Sequence, residues 1–129
     1  MNRPLGIIFS MFAIGLAACS DSAADSPVPP QHWKNMIVRI QTHPSPPIAG
    51  MSEIVVIITG PHGRPAGNLI VSLRGTESAP WIQAIEDGYI GVYRRAVDIG
   101  EDRNGVVRVL IQQGKEQKIL RFPIELVAG

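Results

Sequence analysis

The side chains best suited to chemistry in this chain are imidazoles and thioethers: His32, Met36, His43, Met51 and His62. Such ligands suit copper. A ready-made site would use close pairs of the His-x-His or Met-x-x-Met kind, and no two of the five stand that way. Met36 falls in the core phase of a strand, His32 belongs to a proline-rich lead-in, and His43 and His62 sit among turn residues. The expectation is loop histidines, a core methionine, and neither metal nor other cofactor. Convergence of His43, Met51 and His62 in the fold would reverse it.

Acid–base catalysis would need paired carboxylates. Glu86-Asp87 and Glu101-Asp102 offer them, but both pairs adjoin glycines and read as solvated turn residues. No nucleophile elbow, zinc-helix motif or glycine-rich phosphate loop occurs, so the chain is not expected to be an enzyme. Arg94, Arg95, Arg108 and Arg121 crowd into the last three strand-like segments. Arg94, Arg108 and Arg121 could share one exposed sheet face toward an acidic partner or lipid headgroups. Solvated strand faces balanced by Asp98 and Glu125 are the plainer alternative. Trp33, Trp81 and Tyr89 read as ordinary core before they read as a contact patch. PSPP, 44–47, has the look of a proline ligand, but a kink between two strands accounts for it.

The single cysteine, Cys19, closes a short apolar run from Leu5 to Ala18 that follows Arg3. A helix needs about 20 apolar residues to cross hydrocarbon. This run has roughly 14, the length of a signal-peptide core. Its end, Leu16-Ala17-Ala18-Cys19, resembles the lipobox of bacterial lipoproteins. The resemblance implies cleavage before Cys19, acyl chains on the cysteine and membrane attachment through them. Stable anchoring takes more than one chain, which such a lipidated cysteine supplies. An ordinary signal peptide with an incidental Cys19 is the alternative. Ser20 in place of an aspartate implies, by the same resemblance, the outer rather than the inner membrane, with the domain facing the periplasm.

Ser20 to Gln31 is small, acidic or proline apart from Val28 and Gln31, a composition that cannot offset its ordering entropy. The expected organisation is a signal peptide at 1–18, a lipidated cysteine and flexible linker at 19–32, and a folded domain at 33–129. Removing Arg3 with the signal leaves 11 basic and 11 acidic side chains. That neutrality argues against nucleic acid, which asks for a strongly basic face.

Strands must carry whatever site exists. Segments 36–42, 53–59, 68–74, 81–86, 89–99, 105–113 and 117–127 alternate apolar and polar residues or run β-branched between turn signals. The 81–86 segment is short and ambiguous. QGKEQ is short enough to close a hairpin, and Pro123 demotes the last strand to a sheet edge or a bulge. About seven antiparallel strands in one domain predict an all-β, Ig-like sandwich.

Pro47-Ile48-Ala49-Gly50 before a β-branched strand, Gly63-x-Pro65, Gly91-Val92-Tyr93 and Asn104-Gly105 before Val107-Arg108-Val109 give the domain a further resemblance. It is similar to the YtkA-like/FixH-like family of small exported β-sandwich domains. That family is found near copper and oxidase-assembly functions, and some members carry methionine and histidine in mid-domain. The corresponding stretch here, Thr76 to Ala84, has neither. The expected function is therefore a lipid-anchored binding or structural module contacting another cell-envelope protein. A periplasmic metal-handling or oxidase-assembly accessory role is the alternative that the resemblance implies.

Overall fold

The computed structural model describes residues 28–127, and within them the chain is all-β with no α-helix. Nine strands form: β1 (Gln31–Trp33), β2 (Met36–His43), β3 (Met51–Thr59), β4 (Ile70–Arg74), β5 (Ile82–Gln83), β6 (Ile85–Glu86), β7 (Val92–Asp98), β8 (Asn104–Gln113) and β9 (Glu116–Glu125). A 3-10 turn, Pro61–Gly63, follows β3.

Two antiparallel sheets face each other, ordered β1-β2-β3-β7-β6 and β5-β4-β8-β9. Apart from the added β1 and β5, this is the Ig-like arrangement, with β2, β3, β6 and β7 opposite β4, β8 and β9. Between the sheets lie Val38, Ile40, Ile54, Val56, Ile58, Tyr93 and Val97 from one side. Val71, Leu73, Val107, Val109, Ile111, Leu120 and Phe122 come from the other. These are the positions that the period-2 pattern points inward, because successive strand side chains alternate between faces.

Three sequence expectations are revised by the packing. First, the folded part begins before Trp33: Val28 is buried in the core and β1 opens at Gln31. The linker drawn to residue 32 therefore runs into the sandwich. The polar Gln31 and His32 hid a strand that works by bridging, since the Gln31 side chain donates to the Arg121 carbonyl of β9. Second, the ambiguous 81–86 segment is two strands. β5 pairs with β4 and β6 with β7, and the chain changes sheets at the buried Ala84, whose N–H bonds the Val71 carbonyl at 2.7 Å. Third, the 89–99 segment starts its strand only at Val92, and Tyr89 is 75% exposed rather than core. Trp33 packs part-buried against the core.

The β8–β9 hairpin forms as expected, and β9 with Pro123 is a sheet edge. At the other sheet, β6 shields β7 only at Tyr93 and Arg94. Beyond them Arg95 shares the inward phase of Tyr93 and Val97 yet is exposed. An inward-phased charge of this kind deters edge-to-edge pairing with another chain.

Candidate functional site

Cys19 and the lipobox-like stretch it closes lie outside the described residues. Of the thiophilic set, His43 ends β2 opposite Glu53, with exposed Met51 at the start of β3 nearby. His62 follows the far end of β3. Roughly 20 Å of strand at about 3.3 Å per residue separates the two histidines. His43, Met51 and His62 do not converge, and among the described residues no group of three His, Cys, Asp or Glu side chains is placed to hold a metal. Met36 is buried in the core.

The arginines behave differently. Arg94 does not share a face with Arg108 and Arg121: β7 belongs to the five-stranded sheet, where Arg94 pairs with Glu53 at 3.4 Å. Consecutive strands β7 and β8 cross between sheets, so nearness in sequence misled the grouping. Arg108 and Arg121, in contrast, are direct partners across β8 and β9. On the other side of Arg108 stands Arg74 of β4, also in direct register. Arg74, Arg108 and Arg121 thus form one row across the outer face of the four-stranded sheet. Directly opposed residues point to the same face, and the neighbours Leu73, Val107, Val109, Leu120 and Phe122 take the inner one.

Arg74 is the member that sequence reasoning missed. Its outward phase was visible in NLIVSLR, but its partnership with residues 108 and 121 depends on a register that no short segment carries.

Like charges directly opposite one another destabilise a sheet, so the row needs compensation. Part of it is internal. The Arg108 Nη2 donates to Glu77 Oε1 at 3.1 Å, and Nη1 donates to the Val106 carbonyl at 3.3 Å. The Arg74 guanidinium lies 4.9 Å from the centre of the Trp81 ring, a stacking worth about 0.5–1 kcal/mol at exposed sites. Arg108 is held down, with 12% of its side chain exposed, whereas Glu77 is 78% exposed. Neither Arg74 nor Arg121 forms an ion pair among the described residues. The Nε–H groups of Arg74 and Arg108 are covered and lack an acceptor, a situation that costs about 1–3 kcal/mol per group.

The positions next to the row on this face are apolar or neutral; the outward Glu125 stands two positions beyond Pro123 and faces Arg103 at 4.0 Å. Outward positions flanking the row are Ser72, Val106, Leu110, Ile119 and Pro123, none of them acidic. Exposed Ile70 and Ile119 add apolar surface beside the cations.

Of the two carboxylate pairs, one member is tied into the fold. Glu86 accepts the Gly91 N–H at 3.2 Å and so fastens the turn between β6 and β7. Gly91 is required there: its φ is +84°, and a Cβ would sit 2.8 Å from the Ile58 carbonyl oxygen. Glu101 and Asp102 are exposed in the turn before β8.

Tyr93, buried behind that turn, donates its hydroxyl to the Ala66 carbonyl at 3.2 Å. Burial, and then the Glu86 carboxylate, push its pKa up to about 12. An unfolded tyrosine titrates near 10. The raised value means that the fold favours the protonated phenol. Its contribution to stability is whole below about pH 10 and is lost as pH rises toward 12. Denaturant melts should show stability falling across that window, with a smaller fall in Tyr93→Phe. An equal fall in the variant would remove Tyr93 as the cause.

Compared with known proteins, the chain matches no family model, no curated protein and no solved structure. The reading of the site rests on its geometry.

Proposed function

We propose that the protein is a lipid-anchored, non-enzymatic module of the bacterial cell envelope. Acyl chains on Cys19 hold it to the membrane, with the outer membrane favoured, and its sandwich faces the periplasm. It contacts another envelope protein through the open face of the β5-β4-β8-β9 sheet. The single observation that carries the contact is the row Arg74–Arg108–Arg121, three guanidinia facing outward with one carboxylate, Glu77, among them. Charge-rich rows without matching counter-charge waste stability in a monomer, and they gain a purpose when a complementary surface arrives. The anchor is supported by the lipobox-like Leu16-Ala17-Ala18-Cys19.

Expressed in a bacterium with a lipoprotein pathway, the protein should incorporate labelled palmitate and enter the detergent phase. Cys19→Ser should abolish both, and label persisting in that variant would overturn the anchor. For the contact, a photo-crosslinking side chain at Ile119 should yield a discrete adduct with one envelope protein. The same group at Ala96, on the opposite sheet, should not. Equal adducts from both positions, or none from either, would overturn the assigned face.

A further inference from the structure

We infer that the Arg74–Arg108–Arg121 row reads carboxylates: its occupant is an extended acidic segment of the partner protein, and Glu77 is a built-in competitor for Arg108. This rests on the contact reading above and names its chemistry. Three guanidinia stand in register on adjacent strands. Strands lie about 4.8 Å apart, so the row spans roughly 10 Å. Alternate side chains of an extended peptide are about 6.8 Å apart. Two carboxylates on one side of such a peptide therefore fit within the row.

Charge complementarity fixes the sign of the occupant. Arg108 has Glu77, whereas Arg74 and Arg121 have no ion pair among the described residues. No outward neighbour of the row on β4, β8 or β9 is acidic. The guanidinium fork matches carboxylate and phosphate alike, and Arg108 already holds the first of these. The ligand on Arg108 is a carboxylate, delivered by the loop between β4 and β5. That carboxylate is mostly exposed and free to leave, while Arg108 is packed and stays. Trp81 stacked on Arg74 fixes a second guanidinium in advance, which lowers the ordering cost of binding. Leu110, Ile119 and Ile70 give the backbone and apolar side chains of a peptide a surface to lie on, which a lipid headgroup layer would not use.

The test uses the purified full chain in detergent and a fluorescent peptide of alternating glutamate and alanine, followed by polarisation at low salt. Saturable binding that weakens as salt rises is expected. Arg108→Gln should weaken it about tenfold, with Arg74→Gln and Arg121→Gln weakening it severalfold each. Arg94→Gln, on the other sheet, should leave it unchanged. Glu77→Gln should tighten binding severalfold, the sign that a fixed structural role for Glu77 does not give. Should Arg108→Gln fail to fold, Arg108→Lys keeps the charge without the fork and should still lose affinity.

No binding by the peptide, equal losses in Arg94→Gln and Arg108→Gln, or weaker binding in Glu77→Gln would each overturn the inference. Vesicles of anionic lipid bound through the row, with the peptide unbound, would overturn it in favour of phosphate. A crosslink from Ile119 together with no peptide binding would spare the contact and sink its acidic chemistry. Loss of both would sink the two together.

Discussion

Phe122→Ala should lower the unfolding free energy of the domain by about 3–5 kcal/mol, the range for emptying a fully buried aromatic site. Phe122 is 0% exposed and is the bulkiest of the completely buried side chains. It stands opposite Val107 on the inner face of β8–β9, between Leu120 and Ile124. Val107, Leu120 and Ile124 are held by the β8–β9 ladder and by packing in the core, so they cannot collapse fully into the space left behind. A domain of this size has only about 5–15 kcal/mol in total. The melting temperature should therefore fall on the order of 20 °C, at roughly 4–8 °C per kcal/mol. Ile119→Ala, three residues away on the same strand but 41% exposed on the outer face, should change stability by less than about 0.5 kcal/mol. Equal effects at the two positions would mean that the inward phase of β9 has been misassigned.

That phase was legible in the sequence because β9 has one buried face. Leu120, Phe122, Ile124 and Leu126 alternate with outward residues, and any shift by one position would expose the whole set. The same holds for β2, where Met36, Val38 and Ile40 are buried between more exposed neighbours. In β3, Val55 on the second face is buried as well, and there the continuous β-branched run was the signal. What the sequence left dark has a common cause. β1 is three residues long with no apolar alternation; it is held by its ladder to β2 and by one side-chain bond to β9, 90 positions away. The split of 81–86 between two sheets is decided by which edge each half meets, not by its own residues. The arginine row joins positions 74, 108 and 121, which only the register of three strands brings side by side. The lipobox-like Leu16-Ala17-Ala18-Cys19 is the opposite case, a local resemblance that needs no fold to be noticed, and it lies beyond the described residues.

Gly75→Ala should be nearly as damaging, although nothing in the sequence singles it out from the chain's other glycines. A Cβ at Gly75 would lie 2.0 Å from the Asp98 carbonyl oxygen and 2.8 Å from the Ile99 Cα. These are backbone atoms, so no rotamer change relieves the clash. Either the end of β4 or the end of β7 must move; β7 carries Val97 and is followed directly by Ile99, both buried in the core. Overpacking normally costs about 1–3 kcal/mol and occasionally more; with backbone as the obstacle, about 3 kcal/mol or above is expected. Gly63→Ala supplies the contrast. Gly63 has a φ of +70° but open space around its missing Cβ, so its cost is conformational strain alone, about 1–2 kcal/mol. Denaturant midpoints should drop in both variants, and further in Gly75→Ala. The site adds a second readout. Gly75 follows Arg74 directly and leads into the loop that sets Glu77 on Arg108. A displaced loop should loosen that ion pair and raise the affinity of the acidic peptide, in the same direction as Glu77→Gln. A Gly75→Ala protein as stable as the wild type would show that the approach of the two chain segments is not tight, and that Glu77 does not owe its position to it.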